Sequence, residues 1–512
     1  MQIDLIDDLK EFEAIKPNWD FVYESDPQAQ FFLSWEWLSG WLPMVSEPWL
    51  ILAAKINTEN NYVAFFPIKI SLTQDEIGTF YTELCMAGNS MADYTGLLCL
   101  PGNEAAVISA FAAYIQQQLV WCNFELQNIL ETDRRIHQFL THFSRESFEL
   151  SQRRSRDLGE ESDHMVAPYI PLLDHWDDYL QDIVSSNTRQ KIRRFLKKID
   201  NSEQFHITPV NAHNLSSHIE ILLDFWQKKW GEKKGDNCQV IATYIRRILD
   251  HCFEQDCLYF PVLWQGDTPL GTIANFIDRR HKTILFFIAG RDETVKSLPP
   301  GLILHADAIR YAIQNGFKIY DFLRGNDDYK YSFGVKERHL QHFVIKPKTS
   351  QAQPLDIRGL PLALQHTLQH HRSNQLTEAE QEYHQILSVQ PDHSEALYYL
   401  AALMKQKGEY EEAEALIKRL LASQPNSGMA WFSLGNLYQA QGQLSAAIAA
   451  YRQSITFQPN SPTAYNNLGY ALQQQEAWEE AIACYQKALE LQSDCTAAEV
   501  NLSNLLHAQT MA

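Results

Sequence analysis

The 512-residue sequence predicts a mixed α/β region followed by an all-α helical solenoid. Three observations carry this expectation. Pro391, Pro425 and Pro459 each follow a glutamine and stand 34 residues apart. Upstream of residue 346, short strand-like runs alternate with amphipathic helical patterns. A polar segment containing Pro347 and Pro354 separates the two regions and reads as a linker over 347–359.

The 34-residue period extends to interior positions. One unit carries Trp431, Leu434, Gly435, Tyr438, Ala447 and Tyr451. The next carries Tyr465, Leu468, Gly469, Leu472, Ala481 and Tyr485. The preceding unit is looser, with Leu397, Leu400, Ala401, Met404, Ala413 and Ile417, and the first keeps Ala379 and Tyr383. Large apolar residues on one helix facing small residues on its neighbour make a face that no unit can bury alone, so units must stack. The pattern resembles the tetratricopeptide repeat. It implies units at 360–393, 394–427, 428–461 and 462–495, a capping helix at 496–510, and a surface that binds a protein partner. Residues 360–512 hold 15 Asp and Glu against 7 Lys and Arg, a net of −8, which favours a basic or polar peptide. A dimerisation surface or a spacer is the plainer alternative.

In the α/β region, 258–346 is the most legible stretch. Leu258–Trp264, Gly271–Ile277 and Thr283–Ala289 read as strands, the first two joined by a turn at Gln265-Gly266-Asp267. Ser297-Leu298-Pro299-Pro300-Gly301 then opens a helix whose apolar residues Leu302, Ala306, Ile309 and Ile313 recur at helical spacing, and Gly316 ends it. Lys318–Phe322 forms the next strand. A loop that opens a helix directs free N–H groups and the positive end of the helix dipole at one spot, which suits a pyrophosphate.

No apolar run is long enough to cross a bilayer, and the N-terminus lacks the pattern of a secretory signal. None of the eight cysteines forms a Cys-x-x-Cys pair, which points to a reduced, metal-free, cytoplasmic protein. The net charge of −20 argues against general nucleic-acid or anionic-membrane binding, so an anion site requires a local concentration of cations. The 189–198 segment supplies one, with six cations in ten residues. Arg189, Arg193 and Lys197 recur every four residues, and Ile192, Phe195 or Leu196, and Ile199 form the opposite seam.

The block Tyr320 to Gly334 (YDFLRGNDDYKYSFG), following the Pro-Gly loop and helix, resembles the GNAT-fold acetyltransferases of the cellulose-biosynthesis, CelD-like type. That group is related to the Fem-type peptidoglycan-bridge transferases. The segments SWEWLSGW (Ser34 to Trp41), ADYTGLL (Ala92 to Leu98) and SNTRQKIRR (Ser186 to Arg194) extend the resemblance. It implies two GNAT-like halves in tandem, at 1–165 and 166–346, with the second carrying the cofactor unit. It also implies an acyl-CoA cosubstrate held around Leu298, Pro300, Gly301 and Leu302, and an envelope saccharide precursor as acceptor.

Acyl transfer needs an oriented, deprotonated nucleophile and a protonated leaving thiolate. On this reading Asp321 orients or deprotonates the acceptor, Tyr329 protonates the thiolate, and Lys330 holds an anionic group or neutralises developing charge. Arg189, Arg193, Arg324 and Asp328 are candidate substrate contacts. His281, His305 and His339 show no partner spacing and read as packing or surface residues. Two other functions remain open. The basic helix favours a Fem-type ligase that uses aminoacyl-tRNA, although the acidic remainder disfavours it. The single glycine in the 297–301 loop leaves room for a non-catalytic module that serves the repeats as an adaptor.

Overall fold

The computed structural model describes residues 1–56, 61–88, 91–153, 164–295, 298–349 and 354–511. Ser297 of the predicted cofactor loop and residues 350–353 of the predicted linker lie outside the described residues. The chain divides into two units. One holds Met1–Ser71 and Thr82–Ala352, and the other holds Leu72–Tyr81 and Gln353–Ala512.

The first unit is built on a mixed sheet. Its strands in chain order begin with β1 (Gln2–Ile6), β2 (Trp49–Lys55), β3 (Tyr62–Gln74), β4 (Phe80–Met86) and β5 (Leu98–Cys99). Then come β6 (Asn123–Leu130), β7 (Phe148–Arg153), β8 (Val166–Pro171), β9 (Phe205–Thr208) and β10 (Leu258–Tyr259). The last five are β11 (Val262–Gln265), β12 (Thr268–Asp278), β13 (Thr283–Arg291), β14 (Ile319–Asp321) and β15 (Lys336–Pro347). The main path runs β1-β2-β3-β4-β6-β15-β8-β14-β13-β12-β11-β9.

The long β15 joins two sets of strands. Lys336 to His339 pair with β8, while Leu340 onward pairs with β6, and His342 to Pro347 pair with β7. One strand of the later sequence thereby completes the sheet of the earlier one. The predicted strand at Leu258–Trp264 is divided into β10 and β11. Both pair with β12, and the break falls at Phe260-Pro261, where proline has no N–H to donate to a ladder.

Two of the quoted motifs have direct structural causes. Ser34 caps the Trp35–Trp41 helix by accepting the Trp37 N–H at 3.2 Å, and the helix buries Trp35, Trp37, Leu38 and Trp41. Gly40 of that helix has no room for a side chain: a Cβ would lie 2.3 Å from the His251 ring on the Cys238–Glu254 helix. The Ser186–Asp200 helix is capped by Ser185 and buries Ile192, Leu196 and Ile199, leaving its cations outward.

The second unit is a run of paired helices: Leu360–Arg372 with Leu376–Val389, Ser394–Lys407 with Tyr410–Ser423, Gly428–Ala440 with Leu444–Phe457, and Pro462–Gln474 with Trp478–Leu491. Thr496–Met511 follows them. The recurrent glycine now has its reason. A Cβ on Gly435 would meet the Tyr451 ring at 2.5 Å, and one on Gly469 would meet the Tyr485 ring at 2.8 Å. Each tyrosine is fully buried against the bare backbone of its partner helix.

Candidate functional site

β13 and β14 run parallel for only three pairs, Thr283 with Ile319, Ile284 with Tyr320, and Leu285 with Asp321. β14 then ends, while β13 continues to Arg291. The strands part at Leu285 and Asp321, and Phe286 to Ala289 are only half-buried along the opening. The chain leaves β14 by a tight turn in which Leu323 adopts φ 55°, a conformation rare for a branched side chain. Asp321 holds that turn by accepting the Leu323 N–H at 2.8 Å.

The carboxylate of Asp321 is buried at 1% exposure and accepts from three neighbours. Tyr94 donates its hydroxyl to both oxygens, and Arg338 donates to Oδ2 at 2.9 Å. Burial pushes the Asp321 carboxyl above the usual range, opposed by Arg338. The Arg338 guanidinium also lies over the Tyr169 ring, 3.9 Å from its centroid. Asp321, Arg338 and Tyr169 line one side of a cavity of about 750 Å³.

Elsewhere that cavity is lined by Gln28, Gln30, Thr95, Thr132, Asp133, Arg134, Arg135 and His281. Arg135 is buried and pairs with Asp26 at 2.6 Å. His281 sits in a tight turn: its Nδ1 lies 3.1 Å from Asp278 Oδ2, and its Nε2 3.2 Å from the Asp26 carbonyl. Burial pushes the imidazole pKa down, but the Asp278 carboxylate outweighs it and the net shift is upward. Tyr23 donates to the same Asp278 oxygen at 2.7 Å.

A second cavity, of about 630 Å³, lies at the start of the Pro300–Gln314 helix. Leu298, Pro299 and Pro300 form one side, and Arg194, Lys198 and Arg291 bring three cations to it. The first helical bond runs from the Ile303 N–H to the Pro299 carbonyl, so the Gly301 and Leu302 N–H groups precede it. Arg194 and Lys198 are exposed, and Arg291 is shared with Glu293 through two contacts at 3.0 Å.

Arg189 and Arg193 do not line this cavity. Arg189 donates to the carbonyls of Leu180 and Gln181, and Arg193 lies 3.5 Å from Asp177. Spacing of four residues selected them, but the helix turns Arg194 and Lys198 toward the loop instead. Arg324 pairs with Asp93 and donates to Asn128 Oδ1 at 3.0 Å, joining the ADYTGLL and YDFLRG segments. Asp328 is exposed in the short Asp328–Tyr331 helix.

Lys330 is buried at 3% exposure and is spent on its own loop. Its Nζ donates to the carbonyls of Arg324 and Gly325 at 2.9 and 2.8 Å and lies 3.2 Å from Asp327. Burial pushes its ammonium pKa down, and Asp327 opposes this. Tyr329 is half-exposed and stacks on His305, with ring centroids 5.6 Å apart. His305 is buried and held neutral, its pKa pushed down to about 3 by burial. Tyr320 donates to Asn275 Oδ1 at 3.0 Å, so the 2.9 Å contact with His305 has Nδ1–H as donor. A chain of polar groups thus runs from Asn275 through Tyr320 and His305 to the face of Tyr329.

The sequence does not single out Tyr94, Arg338 or His281 as site residues, and it marks Arg194 and Lys198 only as members of the basic helix. Tyr94 lay within a quoted motif, and the two cations within the basic helix. His281 carried the one local signal, an aspartate three residues earlier.

Comparison with known proteins finds matches to separate parts of the chain. A family model for the acetyltransferase (GNAT) domain matches residues 186–331. Tetratricopeptide-repeat models match 370–434, 435–476 and 462–495. The chain carries a GNAT-type acetyltransferase domain followed by tetratricopeptide repeats. No curated protein matches the chain. Among solved structures, a crystal structure of FemX is 10% identical over 67% of this chain and 97% of its own, with a TM-score of 0.47. A crystal structure of MamA is 19% identical over 28% of this chain and 84% of its own, with a TM-score of 0.27. Among the described residues, no helix is long and apolar enough to cross a membrane.

Proposed function

We propose that the first unit, with halves at 1–165 and 166–346, is an acyltransferase that moves an acyl group from an acyl-CoA to an amine or hydroxyl of a saccharide precursor in the cytoplasm. The observation that carries this reading is the parting of β13 and β14 beside a helix start rich in cations. An acyl-CoA pyrophosphate would rest on the Gly301 and Leu302 N–H groups, with Arg194, Lys198 and Arg291 around it. Its pantetheine arm would lie along the half-buried edge of β13 beyond its last pair with β14.

The acceptor would enter the 750 Å³ cavity, whose mixed amides, hydroxyls and charges suit a hydroxyl-rich ligand. Its nucleophile attacks the thioester carbonyl, the C–S bond breaks, and an amide or ester forms. The acceptor loses one proton and the departing thiolate gains one. Asp321, set by Tyr94 and Arg338, orients the acceptor, and Tyr329 supplies the thiolate's proton. Lys330 and Arg324 fix the loop that carries Tyr329. The repeats recruit a protein partner and so decide where the chemistry takes place.

Calorimetry with acetyl-CoA and longer CoA thioesters on the full chain tests the reading. Saturable binding to one site is expected. Absence of binding by every thioester sinks it.

A further inference from the structure

In the second unit, His366 and His370 stand one helical turn apart on Leu360–Arg372 and face Glu382 of Leu376–Val389. Both Nδ1 atoms lie 3.1 Å from Glu382 Oε1, and one ligand atom from each of the three residues falls within 4.8 Å of the others. Glu382 is 2% exposed, and among the described residues its ion-pair partners are these two histidines and no arginine or lysine. Gln74 donates to Oε1 at 2.7 Å. The second oxygen, Oε2, is buried with no hydrogen-bond partner, and His370 Nδ1, despite its 3.1 Å approach, lacks hydrogen-bond geometry and is also unsatisfied.

Neither imidazole satisfies the second oxygen of this buried carboxylate. A cation placed among them would satisfy the orphaned oxygen and nitrogen together. Two imidazole nitrogens and one carboxylate oxygen form the donor set of a borderline divalent ion, and the half-exposed His366 leaves solvent access for a water as fourth ligand. We propose that His366, His370 and Glu382 bind a divalent transition-metal ion of the zinc class, which ties together the first helix pair of the repeats. Gln74 acts as the positioning residue by holding Glu382 Oε1. The expectation of a metal-free chain came from the cysteines, and this cluster uses none of them.

The first pair is also where the repeat pattern is weakest, so a cross-link there supplies what its packing residues do not. The test uses the full, untagged chain after chelation. Titration with Co²⁺ should give visible d–d bands of a four-coordinate ion at one equivalent, and Zn²⁺ should abolish them by displacement. Zn²⁺ should also raise the melting temperature. His366→Gln/His370→Gln should lose the bands and the melting shift while keeping its helical circular dichroism. Gln74→Ala should bind about tenfold more weakly. Absence of Co²⁺ bands and of saturable Zn²⁺ binding in the wild-type chain overturns the proposal, whether or not the variants fold. Binding that the double variant retains undiminished also overturns it.

Discussion

The hydroxyl of Tyr94 lies 2.9 and 3.0 Å from the two carboxylate oxygens of Asp321, bridging 227 residues of sequence. Tyr94 is fully buried, so its phenol has no water to replace that bond. Tyr94→Phe should cost about 1 kcal/mol by urea denaturation, since Asp321 keeps Arg338 and the Leu323 N–H. Asp321→Asn should cost more, about 1–3 kcal/mol, because it also takes the charge partner of Arg338. On the proposed function, Asp321→Asn should lower kcat/KM by about a hundredfold or more, and Tyr94→Phe by less. Equal losses in both variants would assign Asp321 a purely structural role.

The cations at the helix start give a sharper contrast. Arg194 and Lys198 line the cavity beside Pro300, whereas Arg189 and Arg193 are directed elsewhere. A charge-assisted contact to phosphate of about 1.5 kcal/mol corresponds to roughly a tenfold change in affinity. Arg194→Ala and Lys198→Ala should each weaken acetyl-CoA binding by about that factor, with a shallower salt dependence. Arg189→Ala should leave the dissociation constant unchanged. The reverse pattern in calorimetry would place the pyrophosphate elsewhere.

His281 and Asp278 set a pH window. The imidazole pKa is raised above its ordinary 6.5, so the stability it contributes is fully present below 6.5 and is lost as the pH rises through the folded value. The Asp278 carboxyl is held below 3.8, chiefly against burial and by His281, so its contribution is present above 3.8 and is lost as the pH falls through its folded value. The melting-temperature gap between wild type and His281→Gln should therefore be widest near about pH 5 and should narrow as the pH rises past neutrality. A gap that is flat from pH 5 to pH 9 would show that the imidazole is not charged in the fold.

The repeats offer a packing test. Gly435→Ala gains about 1 kcal/mol of helix propensity but drives a methyl into the Tyr451 ring, and overpacking of this kind costs about 1–3 kcal/mol. Net destabilisation is expected in a thermal melt followed by circular dichroism. At Gly428 a Cβ would meet Gln458 Cγ at 2.6 Å and Cβ at 3.0 Å, atoms close to that residue's backbone, so Gly428→Ala should destabilise as well. A Gly435→Ala chain that melts at or above the wild-type temperature would refute the assignment of Tyr451 as the rigid neighbour.

The repeats were legible because their information is local: a period of 34 residues, with glycine, alanine and tyrosine at fixed offsets, specifies helix contacts within one unit. The β12 to β14 stretch was legible for a similar reason, since its turns and helix ends carry Gly266, Pro300 and Gly316. What decides the site is not local. Tyr94 reaches Asp321, Asp93 reaches Arg324, and β15 pairs with strands on both sides of it, all at separations that no periodicity encodes. The second partner of His281 is the backbone carbonyl of Asp26, 255 residues away, which no spacing in the sequence reveals. The basic helix was recognised, but a four-residue count cannot say which cations face the Pro300 loop.

Lys330 remains the residue on which sequence and geometry point differently, and kinetics can separate them. Its ammonium is committed to two carbonyls and to Asp327, which makes it a brace for the loop beneath Tyr329. Lys330→Met keeps the length of the side chain but leaves the buried Gly325 carbonyl without its donor, at a cost of about 1–3 kcal/mol. If Lys330 acts through that loop, kcat/KM should fall by about ten- to a hundredfold while the pH dependence keeps both limbs, because the titrating groups are unchanged. If Lys330 exchanges a proton with the reactants, one limb of the profile should vanish. The burial that pushes its ammonium pKa down would bring such a limb below the ordinary lysine range, where a pH series on the variant reads it directly.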